Sequence, residues 1–207
     1  MTPTWSFFDR IVCLSLSQPE WDIGKAEFER VGLDQIERFQ AVKEIGPHES
    51  FSHSERDILI DFLYSPAERL LHLEDDCVFR DLSHLDQAFS ELPPDWDILY
   101  LGANLLLWND GSESQPERFS DHLFRIRSAW TTHAVAYNKK CVYEILAKQP
   151  RFSEQMFDQY LSSRLSEFQA YVVAPMVAYQ RPRFSSIWQR EDDYTPIFEA
   201  SDARLRQ

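Results

Sequence analysis

The sequence predicts an α/β fold in which a mixed, mainly parallel sheet is flanked by helices. Strand-like apolar runs alternate with helical segments over the first hundred residues, the pattern that builds a parallel sheet. A later pair of strand-like stretches, "LFRIRSAW" and "THAVAYN", makes the sheet mixed. Hydrophobic residues are 43% of the 207, enough to bury a sizeable core in one domain.

The elements follow in order. "RIVCLSL" (10–16) is a short apolar run with a β-branched start and reads as a buried strand. "PEWDIGKAEFERVG" (19–32) reads as a helix, with Pro19 in its first turn and Gly32 just past its end. "IERFQAV" (36–42) is a second strand. Ser52-His53-Ser54-Glu55 has the capping-box pattern and opens a helix through "RDILIDFLY", closed by Pro66. "RLLHL" (69–73) is a third strand and runs into Glu74-Asp75-Asp76. "DLSHLDQAFSEL" (81–92) is helical up to Pro93-Pro94, and "DILYLG" (97–102) is a strand stopped by Gly102.

Residues 103–121, polar around "NDGSESQPE", predict an irregular loop. After the later strand pair come the helices "KKCVYEILAKQ" (139–149) and "SEQMFDQYLSSRLSE" (153–167), the second capped by Ser153. "AYVVAP" (170–175) is the last buried strand. Apolar periodicity fades past Pro182. The reading is therefore a single domain over 1–182 and a C-terminal arm or loosely packed tail over 183–207.

Charge narrows the partners. Acidic residues number 34 against 21 basic, a net of −13, which argues against nucleic acid and anionic lipid because both need basic patches. A phosphate ligand is still compatible if a metal ion reverses the local sign. Cys13, Cys77 and Cys141 lie far apart with no CxxC pair, as expected of reduced, buried thiols. "MTPTWSFFDRIVCLSLS" carries Asp9 and Arg10 within what would be a signal's apolar stretch, and nothing approaches 18 uninterrupted apolar residues. The expectation is a soluble, cytoplasmic chain without a transmembrane segment.

The tripeptide Glu-Asp-Asp occurs twice, at 74–76 and at 191–193. The second copy follows Arg190 in a polar tail and reads as solvated surface. The first ends an apolar strand, and in open α/β sheets ligands collect at the carboxyl ends of strands. Two unit charges about 5 Å apart repel by roughly 3 kcal/mol at an effective dielectric near 20. Three crowded carboxylates therefore call for a raised pKa, an Arg or Lys, or a divalent cation. Hard oxygen ligands suit Mg²⁺ or Mn²⁺ shared with a substrate's phosphates. Strand alternation sends Glu74 and Asp76 to one side and Asp75 to the other. A solvated loop whose acids cap the next helix is the alternative.

"LLHLEDDCVF" followed by "LPPDWDILYLGANL" (92–105) resembles the signature of glycosyltransferase family 25, found in lipopolysaccharide-building and collagen-type galactosyltransferases. Further pieces resemble the family in the same order: "IVCLSLS", "IERFQAV", "FSHSERDILIDFL", "WTTHAVAYNKKCVYEIL", "MFDQYL" and "VVAPMVAYQRPRFSSI". The similarity spans about 11 to 187. It implies a GT-A-like, Rossmann-related fold and transfer of a sugar, most often galactose from UDP-galactose, to a glycan or other hydroxyl acceptor with inversion. Glu74 and Asp76 would hold Mn²⁺ or Mg²⁺, and Glu74 and Asp75 would lie toward the donor. The same resemblance assigns Asp158 as general base and puts Gln180, Ser185 and Ser186 near the donor.

Other residues have two readings. Asn104 either binds a sugar hydroxyl or forms a turn. His133 is either a buried, hydrogen-bonded histidine or a catalytic group contacting phosphate, metal or sugar. Arg181 and Arg183 offer charge to a diphosphate or lie on solvated surface. Trp96, Trp108 and Trp130 are candidates for stacking, with Trp96 better placed for the core. Two other functional classes share these features: a catalytically inactive GT-A-like binding module, and a metal-dependent phosphoester hydrolase.

Overall fold

The computed structural model describes residues 5–43, 46–106, 115–149, 155–185 and 188–206. The expected stacking residue Trp108, donor contact Ser186 and helix cap Ser153 lie outside these residues.

The apolar run at the start becomes β1 (Arg10–Ser15). Ser17 caps α1 (Gln18–Arg30), its Oγ accepting from the Glu20 N–H at 3.4 Å with Pro19 in the first turn. Gly32 follows at φ 76° and turns the chain toward β2 (Glu37–Gln40). The next helix, α2 (Pro47–Tyr64), starts five residues before the predicted capping box. Pro47 at its first position starts it behind Gly46. Ser52 and Ser54 lie inside the helix and serve tertiary contacts: Ser52 Oγ accepts from the Phe157 N–H (3.1 Å) and Ser54 Oγ from the Val42 N–H (2.9 Å).

Next come β3 (Arg69–Glu74), β4 (Cys77–Phe79), α3 (Leu85–Glu91) and β5 (Ile98–Tyr100). Then follow β6 (Glu117–Arg118), β7 (Leu123–Arg125), β8 (Ala134–Asn138), α4 (Lys139–Ala147) and α5 (Phe157–Arg164). The chain ends in β9 (Ala170–Val173), β10 (Ala178–Gln180), β11 (Arg183–Ser185), β12 (Arg190–Asp192) and α6 (Thr195–Arg204).

Eight strands form the main sheet in the order β2-β1-β3-β8-β5-β9-β7-β6. The pairings make β8 and β7 run against the other six, so the sheet is mixed and mainly parallel, as predicted. Strand alternation splits the core in two. Val12, Leu14 and Leu70 face a cluster with Ile58 and Phe62 of α2, Ile145 of α4 and Phe157 of α5. Ile11, Cys13, Leu71 and Leu73 face the other side, with Phe28 of α1 and Leu85 and Phe89 of α3. All three cysteines are free and buried. No helix among the described residues is long and apolar enough to cross a membrane.

The segment past Pro182 differs from the expected loose tail. Its α6 buries Phe198, Ser201 and Asp202 on one face, positions three and four apart, and Phe198 is in the same cluster as α2 and α5. Ser201 Oγ accepts from the Leu105 N–H (3.0 Å) and Asp202 Oδ1 from the Met176 N–H (2.7 Å). Phe198 and Leu205, which ends the helix, are its two apolar side chains in that cluster, and with Ser201 and Asp202 between them the buried face carries little apolar signal.

Gly102 lies two residues past β5, where backbones crowd. A Cβ there would lie 1.8 Å from the Ala178 carbonyl oxygen and 3.3 Å from His133 Nε2. Gly102→Ala is expected to destabilise the chain by roughly 3 kcal/mol through overpacking, read as a lower urea midpoint with unchanged slope.

Candidate functional site

The parallel pairing of β1 with β3 sets Glu74 beside Leu14 at the carboxyl rim of the sheet. The chain then turns through Asp75 and Asp76 into β4. Strand alternation ends at Glu74 because Asp75 and Asp76 form a turn, yet the expected sides are kept. Glu74 and Asp76 face a cleft, while Asp75 points away from it and is buried.

Asp75 is therefore corrected from a donor contact to a structural group. Its Oδ2 accepts the Leu16 N–H (3.0 Å) and its Oδ1 takes the Arg183 guanidinium (2.6 Å). The antiparallel β4–β10 ladder pairs Cys77 with Gln180 and so brings Asp76 alongside Gln180 and Arg181. Gln180 Nε2 lies 3.4 and 3.3 Å from the two Asp76 oxygens, and Arg183 Nη1 lies 3.4 Å from Oδ2. Arg181 itself pairs with Glu20 of α1.

Glu74 is held from the other side. Its N–H donates to the His133 carbonyl (3.0 Å), and its Oε1 accepts from the Thr132 hydroxyl (3.1 Å). Burial, then the charge of Asp76, pushes the Glu74 carboxyl well above its ordinary range, against the pull of Arg183 and Thr132. Burial likewise raises Asp76, against the opposing pull of Arg183. The protein's own cations do not compensate this pair of acids.

Across the cleft, α5 presents Asp158 in its first turn. Burial pushes its carboxyl up to about 6, although the Gln159 N–H donates to it at 2.7 Å. The cleft thus gathers Glu74, Asp76, Asn104, Asp158, Gln180 and Ser185 from the sequence-predicted set. His133 does not join them. It is fully buried behind the cleft, which corrects its reading as a catalytic group in contact with substrate. Burial lowers its imidazole to about 4, the Ala178 backbone acting the other way, so the ring is neutral near pH 7. Trp96 is core, as expected, whereas Trp130 lines the cleft.

Several lining residues carry no sequence signal of their own. Thr131 and Thr132 follow Trp130, and Phe51, Met156 and Gln159 complete the wall near Asp158. Thr131 sits at φ 72°, a backbone state that costs a β-branched residue on the order of 1–3 kcal/mol. The second acidic tripeptide is also corrected in part. Glu191 and Asp193 are exposed, but Asp192 is buried and lines the same cleft. Antiparallel pairing of β11 with β12 sets Asp192 opposite Arg183, and Asp192 accepts from Arg190 Nε (2.7 Å) and the Tyr194 hydroxyl (3.1 Å). Both tripeptides therefore border one cleft, with Arg183 between them.

No family model matches the chain, and no curated protein does. Among solved structures, it is similar to A197 from STIV at 15% identity, over 89% of this chain and 95% of that one, with a TM-score of 0.51. It is more distantly similar to mannose-1-phosphate geranyltransferase from Thermus thermophilus, at 10% identity over 82% of this chain and 75% of that one, TM-score 0.45. A glycosyltransferase involved in the glycosylation of the major capsid of PBCV-1 gives 13% identity over 67% and 66%, TM-score 0.38. The first likeness is one of fold; the other two are too remote to bear on this chain.

Asp158 makes stability depend on pH. Its ordinary value is 3.8, and the folded chain holds its proton up to about 6. An unfolded chain releases that proton near pH 4, so stability falls as pH rises through 4 to 6. Asp158→Asn removes the cost and is expected to stabilise the chain by on the order of 2 kcal/mol at pH 7 while changing little at pH 4, measured by urea unfolding at both.

Proposed function

We propose that the chain is a GT-A-type glycosyltransferase of the family 25 kind, using a UDP-sugar donor, with galactose the first candidate. The observation that carries this reading is the acidic turn after β3, which aims Glu74 and Asp76 into a cleft that Asp158 faces from α5. The ordered resemblance of residues 11 to 187 to that family supports it.

A divalent cation fits the residues present. Glu74 and Asp76 offer hard carboxylate oxygens, and burial raises both carboxyls despite Arg183, helped by Asp76 at Glu74 and by Asp75 at Asp76. Among the described residues, no three His, Cys, Asp or Glu side chains converge to cage an ion. Two carboxylates with the remaining positions left to substrate phosphates is the usual arrangement for Mg²⁺, and Mn²⁺ takes the same hard oxygens. Such an ion, when bound, neutralises charge developing on the diphosphate leaving group.

The chain's own residues do the rest. Gln180 and Ser185 contact the donor from β10 and β11, and Asn104, whose Oδ1 closes a turn on the Leu106 N–H (2.8 Å), meets a sugar hydroxyl through its amide NH₂. Asp158 accepts the proton of the acceptor hydroxyl. The acceptor oxygen bonds to the anomeric carbon from the face opposite the diphosphate. The bond from that carbon to the diphosphate oxygen breaks, and its electron pair leaves with UDP, inverting the centre. A carboxyl raised to about 6 is ionised at pH 7 yet basic enough to take a proton.

UDP release from UDP-galactose with Mn²⁺ tests the reading on a panel of saccharide acceptors. Asp158→Asn is expected to lower kcat by about 10²–10⁴-fold. Asp76→Asn is expected to lower kcat/KM by about a hundredfold or more. Turnover in the wild type should rise with pH through about 6, the value of Asp158. Unchanged activity in Asp76→Asn contradicts the proposal. Release of inorganic phosphate or UMP without transfer points to a phosphoester hydrolase, and absence of turnover with bound UDP to a binding module.

A further inference from the structure

Residues 130–133 adopt a conformation that their own side chains resist. Thr131 is branched at Cβ and lies in the left-handed region at φ 72°, where glycine is the residue favoured. The backbone on either side is anchored. Trp130 exchanges two hydrogen bonds with Asn104 (2.8 and 3.1 Å), and the His133 carbonyl accepts the Glu74 N–H. Between these anchors, His133 Nδ1 lies 3.3 Å from Thr131 Oγ1.

His133 is itself fixed from behind. Its ring meets Phe198 of α6 at 4.8 Å, edge to face, and its Nε2 end lies against Gly102 and the Ala178 backbone. With the proton of the neutral ring on Nε2, Nδ1 accepts from the Thr131 hydroxyl.

We propose that His133 is a positioning residue that holds Thr131 in the left-handed conformation and thereby aims Thr132 and Glu74 into the cleft. The chain of contacts is continuous: Phe198 against His133, His133 to Thr131, and the Thr132 hydroxyl on Glu74 Oε1 at 3.1 Å. The last helix thus supports the acidic turn through a strained threonine. Release of Thr131 to negative φ would redirect Thr132 away from Glu74 and carry Trp130 with it. Outer-shell partners of this kind orient the groups that bind an ion or substrate.

The binding readout rests on the nucleotide-sugar reading; the stability readout does not. The full chain is made as Thr131→Val, which keeps the branch and loses the hydroxyl, and as Thr131→Gly, which needs no holding. His133→Gln, whose amide reaches the Nε2 position and not Nδ1, is the third variant. Titration calorimetry with UDP and Mn²⁺ is expected to show binding weakened about tenfold in Thr131→Val and His133→Gln, and within about threefold of wild type in Thr131→Gly. Adding Thr131→Gly to His133→Gln should restore binding. Wild-type affinity in Thr131→Val, or a loss in Thr131→Gly as large as in Thr131→Val, overturns the inference. If the wild type does not bind UDP, the nucleotide-sugar reading fails and thermal unfolding decides this one. Thr131→Gly is then expected to melt above Thr131→Val, and the reverse order overturns it.

Discussion

Asp75 joins three parts of the chain that lie far apart in sequence. Its carboxylate accepts the Leu16 N–H at the end of β1 and the Arg183 guanidinium at the start of β11, while its own N–H donates to Leu14. Burial works against the Arg183 charge, but Asp76 and Asp75 more than offset it, and its pKa rises. A buried pair of this kind contributes little over an apolar substitute, yet removing one partner costs about 3–5 kcal/mol because a charge is left uncompensated. The bond is thus better understood as fixing geometry than as adding stability. It pins the acidic turn to the sheet rim and seats the segment carrying Ser185 and Asp192 beside the cleft.

With Asp75 committed to Arg183, Glu74 and Asp76 remain on the cleft side with too little positive charge. The Arg183 guanidinium is shared between Asp75 and Asp76, while Arg181, on the same cleft, is paired with Glu20. Burial, with Asp76 beside Glu74 and Asp75 beside Asp76, raises the two carboxyls against the pull of the Arg183 guanidinium. Asp158 is raised by burial against the lowering hydrogen bond from the Gln159 N–H.

The sheet was legible wherever a strand is an uninterrupted apolar run. β1, β3 and β9 are buried on both faces, and their residues say so directly. The start of α2 was misplaced because a capping-box spelling at Ser52–Glu55 is also a set of small polar residues suited to tertiary bonds, and the proline–glycine signal upstream is shorter. Glu74 and Asp76 were legible because they follow a buried strand to its carboxyl end, although the turn at 75–76, not strand alternation, brings Asp76 to the cleft. Asp192 was not: its burial comes from pairing with Arg183 across a short polar ladder, and nothing in "REDD" distinguishes a solvated acid from one facing a cleft. His133 was the right residue with the wrong task, since its burial depends on Phe198 more than sixty positions later. Thr131 could not be found at all, because a left-handed backbone normally announces itself by glycine or asparagine.

The most direct test is anomalous diffraction from crystals of the full chain grown with Mn²⁺ and UDP. A manganese peak within bonding distance of an Asp76 carboxylate oxygen, with Glu74 on the same side and Asp75 still on Arg183, is the predicted result. A peak elsewhere, or UDP bound with Asp76 still turned to Gln180 and no ion beside it, contradicts the account.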